Sequence, residues 1–111
     1  MKTYSSQSGY VYQYYYEGRR ERAVSDSGVE FVFTISADRK NWNAASVHVG
    51  QAVLAPWEQA HGRELSSTEQ YAIAKMALFQ AFDAGARPSD IASDIDVRAA
   101  DVEGIIETLG L

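Results

Sequence analysis

Hydrophobic and polar residues alternate along the first half of the chain. The stretch 10–16 has tyrosine at every even position and a mixed set between them, which is the two-residue period of a β-strand. A turn sequence, SDSG, separates it from 29–36, where valine, phenylalanine and isoleucine occupy alternate positions. A shorter run at 42–49 follows a polar turn. The pattern predicts a three-stranded antiparallel meander over about residues 9–49, with Gly18 at a β-bulge.

After Gly50 the hydrophobic period lengthens to that of helices. Pro56 suits the first turn of a helix better than its interior, so we expect a short helix over about 55–61 rather than one that begins at Gln51. Further along, SSTE fits a capping box and predicts that a long helix, 67–84, begins there. This helix has apolar residues on most sides, which indicates that it is central and buried.

The most specific pattern in the chain is its last one, RPSDIASDIDVRAADVEGIIETLGL. A small residue, Ala92, stands where two crossing helices would come closest, and Asp96 occupies the turn between them. Residues 88–107 thus resemble the helix-turn-helix family, and with the preceding helix the resemblance implies a tri-helical module over 67–109. The contacts that would seal the crossing are apolar and branched: Ile91, Ile95, Val97, Val102 and Ile105.

Together these patterns predict an α+β fold. We expect one domain, 1–111, in which a β-meander (1–50) precedes a helical part (51–111). The helical part would hold four helices, the last three in a helix-turn-helix arrangement. The length of 111 residues suits one domain, and 46% hydrophobic with 23% charged residues is typical of a folded one.

Several classes of protein have little support in the composition. The chain has no cysteine, which excludes a disulfide framework and thiolate metal sites. Its first ten residues lack the apolar stretch of a secretory signal, and no run is long enough to cross a bilayer. We therefore expect a cytoplasmic location and no membrane partner.

Charge is distributed unevenly along the chain. Acids and bases balance over residues 1–87, nine of each, so residues 88–111 carry the whole net charge of −5. Arg98 is the one base in this last segment. Its acids are Asp90, Asp94, Asp96, Asp101, Glu103 and Glu107.

The acidic end suggests a non-catalytic regulator or adaptor that binds a protein partner, and in a sharper form a DNA mimic or inhibitor. The residues expected to contact the partner lie in the predicted C-terminal helices: Asp94, Arg98, Asp101, Glu103 and Glu107. The alternative is a DNA-binding, transcription-type regulator that uses the helix-turn-helix directly, although acids on the recognition helix would repel phosphate. A homodimer could then present basic residues of the hairpin ends to DNA or to a partner: Arg19, Arg20, Arg22, Arg39 and Lys40.

Either face of the tyrosine strand could join the core. If Tyr10, Tyr12, Tyr14 and Tyr16 face inward, the ladder is structural. If they face outward, they form a stacking platform for bases or a patch for a partner. The inward arrangement is favoured, because the polar Gln13 sits better outside.

Catalytic motifs are scarce. His48 and His61 are not neighbours in the sequence and belong to no metal-ligand motif. The chain also has no nucleophile elbow, phosphate loop or dinucleotide fingerprint. We expect no enzymatic activity, no metal and no cofactor.

Overall fold

A computed structural model describes residues 1–22, 28–85, 88, 91 and 93–111, with backbone alone for Glu21 and Arg22. The described residues form five strands and three helices. In chain order these are β1 (Lys2–Ser5), β2 (Val11–Arg22), β3 (Gly28–Ser36), β4 (Asn43–Gly50), α1 (Gln51–His61), α2 (Ser67–Ala84), β5 (Asp94–Asp96) and α3 (Ala99–Leu109).

The strands form one mixed sheet in the order β1-β2-β3-β4-β5. The first four strands are an antiparallel meander, whereas β5 returns after two helices and pairs parallel with β4. The predicted bulge is confirmed, because the β2–β3 register shifts between Tyr16 and Gly18 and Gly18 has φ 138°. Glycine is required there, since residues with a Cβ avoid this backbone conformation.

One face of the sheet carries the core. Tyr12 stacks on Phe82 of α2 with ring centroids 4.1 Å apart, and Tyr14 meets Phe79 edge to face at 5.5 Å. The same face continues across β3 and β4, where the buried residues are Phe31, Phe33, Ile35, Ala45, Val47 and Val49. The inward orientation of Tyr12 and Tyr14 is therefore confirmed. Tyr10 and Tyr16 lie at the margin of the core and stay exposed.

The predicted three-stranded meander followed by four helices is wrong in three places. β1 was missed, because KTYS has a single apolar side chain, Tyr4, to mark it. The second difference is α1, which begins at Gln51 and holds Pro56 in its interior. Burial of Leu54 and Trp57 offsets the backbone hydrogen bond that proline cannot donate. The third difference lies in the C-terminal segment.

The helix-turn-helix arrangement is overturned by β5. Residues 94–96 form a strand where the pattern predicted the end of a helix and its turn. The amide of Ser46 donates to the carbonyl of Ser93 at 2.8 Å, and the amide of Val97 donates to that of His48 at 3.0 Å. Pairing along this edge of β4 satisfies backbone groups that a helix would leave to water. Ala92, the predicted helix contact, lies outside the described residues.

The predicted start of α2 is confirmed. Ser66 accepts a hydrogen bond from the amide of Glu69, and the Glu69 carboxylate accepts one from the amide of Ser66, which completes the capping box. Arg63 donates to both oxygens of the same carboxylate, at 3.0 and 2.9 Å. Arg63 first, and the Ser66 amide second, lower the pKa of Glu69 to about 2.

This carboxylate makes the cap sensitive to acid. A carboxylate whose pKa is lowered in the folded state stabilises the fold at pH values above 4.5, the ordinary pKa of glutamate. This stabilisation is lost as the pH falls towards about 2. Glu69→Gln should thus unfold at lower urea concentration than the wild type at neutral pH, and the gap should close over that acid range. Glu64→Gln, which removes an exposed acid nearby, is the matched control. A gap that stays constant with pH would contradict this role.

Candidate functional site

The acidic surface of α3 follows from the way the helix packs. Val102, Ile105 and Ile106 are buried, which turns Glu103 and Glu107 to solvent one turn apart on the opposite side. Neither carboxylate makes an ion pair or hydrogen bond with another described residue. Their charges are therefore available to a partner.

Arg98 stands at the N-terminal end of α3 and is already paired. Its Nε atom lies 3.2 Å from Oδ2 of Asp101, and the amide of Asp101 donates to the carbonyl of Arg98 at 3.0 Å. The pair is exposed, so it contributes little to stability. It does neutralise Arg98, the one basic residue of the segment 88–111. We use the name acidic helix surface for Glu103 and Glu107, which share a side of α3; Asp101, two residues before Glu103, lies on a different side.

The structure does not bring all of the predicted partner contacts together. Asp94 lies on β5 opposite Ser46, where alternation turns it away from the helices while Ile95 faces them. The predicted set is thus divided three ways: Glu103 and Glu107 form the acidic helix surface, the Arg98–Asp101 pair lies on another side of α3, and Asp94 lies on the other face of the sheet.

The predicted basic residues do not form one cluster either. Arg19 and Arg20 point to opposite faces of β2, because Arg19 donates to Ser67 at 2.9 Å and Arg20 pairs with Glu30 at 2.7 Å. The side chain of Arg22 lies outside the described residues.

Arg39 and Lys40 lie at the other end of the sheet, in the turn between β3 and β4. From Glu30 to Ser36, β3 spans about 20 Å at roughly 3.3 Å per residue, so this distance separates the two basic groups. Asp38 holds the turn by accepting hydrogen bonds from the amides of Asn41 and Lys40, both at 2.8 Å, and these bonds lower its pKa.

A row of ionisable side chains crosses four strands on the face away from the helices. Arg20, Glu30, His48 and Asp96 are register neighbours on β2, β3, β4 and β5. Nδ1 of His48 lies 3.2 Å from Oδ1 of Asp96, and the His48 side chain is 9% exposed. Its Nε2 atom is buried and has no hydrogen-bond partner among the described residues. The row binds β5 to the sheet through side chains as well as backbone.

This row could not be predicted from any local sequence pattern. Its four members are far apart along the chain, and only the register of the sheet makes them neighbours. The available signal was the placement of His48 on the side of its strand opposite Val47 and Val49.

A groove between α1 and α3 adjoins the acidic helix surface. It encloses about 130 Å³. Its lining is largely apolar, with Glu103 at the α3 rim: Val53, Pro56, Trp57, Ala60, His61, Ala99, Val102 and Glu103. His61 stacks on Trp57 with ring centroids 4.3 Å apart, which fixes the orientation of the indole at the floor of the groove. The sequence pattern did not predict this groove, because its two walls come from separate helices.

On the opposite side of the molecule, Tyr15 and Trp42 form a second concavity of about 360 Å³ with Glu17 and Thr34. This concavity is open to solvent. Its main contact surface is the aromatic pair, whose ring centroids lie 5.3 Å apart.

Two classes of site are absent from the described part of the chain. No three His, Asp or Glu side chains within it are grouped so that they could hold a metal ion. None of its helices has both the length and the hydropathy that a bilayer span requires. No family model, curated protein sequence or solved structure matches the chain.

Proposed function

We propose that this protein is a non-catalytic docking module that binds a basic segment of a partner protein through the acidic helix surface. The observation that carries the proposal is the exposure of Glu103 and Glu107 without an ion-pair partner among the described residues. Two neighbouring carboxylates on a rigid helix attract lysine and arginine, and such complementarity speeds association and selects the partner.

The state of the basic residues supports the same proposal. Arg20, Arg63 and Arg98 each pair with an acid of this chain, which leaves less positive charge for phosphate. The remaining predicted basic contacts are divided between distant ends of the sheet. Affinity for duplex DNA depends on many simultaneous phosphate contacts, so this distribution disfavours a DNA-binding regulator.

The partner's basic segment could belong to a nucleic-acid-binding protein, because such proteins expose lysine and arginine for phosphate. In that case the protein would act as a DNA mimic and block the partner. A cytoplasmic location remains a prediction.

Fluorescence anisotropy with two labelled probes tests the proposal at physiological ionic strength. One probe is a synthetic peptide of lysine, glycine and serine, and the other is duplex DNA. We expect the peptide to bind, with affinity that falls as salt increases, and the duplex not to bind. The double variant Glu103→Lys, Glu107→Lys should weaken peptide binding at least about tenfold, because it turns attraction into repulsion.

The double variant Glu17→Lys, Glu64→Lys is the matched control, since it changes the net charge equally at exposed positions outside α3. It should leave peptide binding within about threefold of the wild type, because charges more than a Debye length of about 8 Å away are screened. Equal losses in both double variants would mean that net charge, rather than this surface, attracts the peptide. Tight, salt-sensitive duplex binding would favour the DNA-binding alternative.

A further inference from the structure

The groove between α1 and α3 and the acidic helix surface share one residue, Glu103. A ligand seated in the groove would therefore lie beside an exposed carboxylate with no described ion-pair partner. This juxtaposition of an apolar recess and a negative rim is more selective than either feature alone, because a ligand must satisfy both at once.

The size of the groove limits what it can hold. Its volume of about 130 Å³ is close to that of the roughly 150 Å³ apolar cavity that takes one benzene molecule. One large aliphatic side chain fits this space, whereas a nucleotide or a dinucleotide cofactor does not.

The walls of the groove are suited to a second chain that approaches closely. Pro56, Ala60 and Ala99 are exposed and small, so they let a backbone come near. Beneath them, Trp57 and Val102 form an apolar floor that is almost fully buried. The indole contacts two further side chains: it stacks on His61, and the guanidinium carbon of Arg63 lies 5.1 Å from its ring centroid.

The charges around the groove decide the chemistry of the ligand. Glu107 lies one turn beyond Glu103, and Arg63 and Arg98, which follow α1 and precede α3 in the chain, are paired with Glu69 and Asp101. An acidic segment or a nucleic acid would meet repulsion at this rim. A lysine or arginine beside the inserted apolar side chain would meet attraction.

We propose that the α1/α3 groove holds a single apolar side chain, such as leucine, from the partner's basic segment, while a neighbouring lysine or arginine of that segment pairs with Glu103. The inference rests on the proposed function and specifies its ligand as a short basic sequence with one apolar anchor. A side chain that fills a well-packed, desolvated pocket contributes more binding energy than the contacts around it.

Two peptides that differ at one position test the anchor. The first contains lysine, glycine and serine, and the second replaces one central serine with leucine. The leucine peptide should bind about tenfold more tightly, because its side chain leaves water for an apolar groove. Equal affinity of the two peptides would contradict the binding of an apolar side chain in the groove, but not the docking proposal. Failure of both peptides to bind would contradict the docking proposal itself.

Groove-filling variants locate the anchor. Ala99→Leu places a larger side chain into the groove and should abolish the advantage of the leucine peptide without changing the affinity of the leucine-free one. Ala100→Leu, a neighbouring exposed position outside the groove lining, is the control. Ala60→Leu on the α1 wall is a second filling variant, and it should repeat the effect if Ala99→Leu fails to fold. An advantage that survives filling would place the leucine elsewhere.

Trp57 provides a direct report from inside the groove. The chain has two tryptophans, so the Trp42→Phe variant leaves Trp57 as the single indole emitter. Addition of the leucine peptide should shift its emission, and the leucine-free peptide should have a smaller effect. No shift with a bound leucine peptide would contradict insertion beside Trp57. Self-association of the protein that competes with the peptide would instead assign the groove to a second copy of this chain.

Discussion

Tyr12→Ala is expected to lower the free energy of unfolding by roughly 3–5 kcal/mol, the range for a truncated core aromatic residue. Tyr12 is 1% exposed and stacks on Phe82 with an interplanar angle of 3°. Its removal would leave a cavity between β2 and α2 that neither element can close, because the strand is fixed by pairing on both sides. Urea denaturation measures the loss, provided that the dependence of the unfolding free energy on urea concentration is the same for the variant and the wild type.

Tyr15→Ala makes the same chemical change on the same strand and serves as the control. Tyr15 is 43% exposed and contacts Trp42 on the face away from the helices, so its loss should cost less than about 1 kcal/mol. Similar costs for the two variants would contradict the assignment of the two faces of β2. The comparison therefore tests which face of β2 is buried, because the chemical change is the same in both variants.

The strands of the meander could be predicted because their side chains alternate clearly. In β3 every second residue is large and apolar, and one face of β2 had to join that surface to complete a core. The burial of Gln13 could not be foreseen. Alternation correctly turned it away from the helices, yet it is 3% exposed, since the alternation fixes the face and neighbouring parts of the fold determine what covers it.

The C-terminal segment shows why a local pattern can mislead. Ile91, Ile95 and Val102 are compatible with helical spacing, but Ile95 between two aspartates also fits the two-residue period of a strand. The choice depends on the vacant edge of β4, which lies far away in the sequence. Once Ser46 and His48 offer backbone partners there, three residues are enough for a strand.

The negative charge of the candidate site could be predicted from the sequence, but the positions of its residues in the fold could not. The excess of acids after residue 88 indicated an acidic surface, and α3 does present Glu103 and Glu107. The pattern could not show that Asp94 lies on another face or that Arg98 is paired with Asp101. The groove depends on how α1 and α3 lie against each other, which no single segment encodes.

Gly28→Ala is expected to destabilise the fold by roughly 1–3 kcal/mol, the range for an overpacked site. A Cβ at Gly28 would lie 2.6 Å from the carbonyl oxygen of Val49 and 2.8 Å from Cα of Gly50. These are backbone atoms of the paired strand, so no side-chain rotation relieves the contact. A third contact, 3.0 Å to Nε2 of His48, would crowd the row of ionisable side chains. The requirement at this position is therefore for space between the paired strands.

Gly104→Ala is the matched control, and it should change stability in the opposite direction. Gly104 lies inside α3, and a Cβ there would meet no atom within 4 Å. Alanine in a helix interior is favoured over glycine by about 0.5–1 kcal/mol, mainly because it restricts the unfolded chain. Thermal and urea unfolding of the two variants should therefore move to opposite sides of the wild type. A stable Gly28→Ala variant would mean that β3 and β4 are farther apart at this end, and the register that brings Glu30 beside His48 would have to be revised.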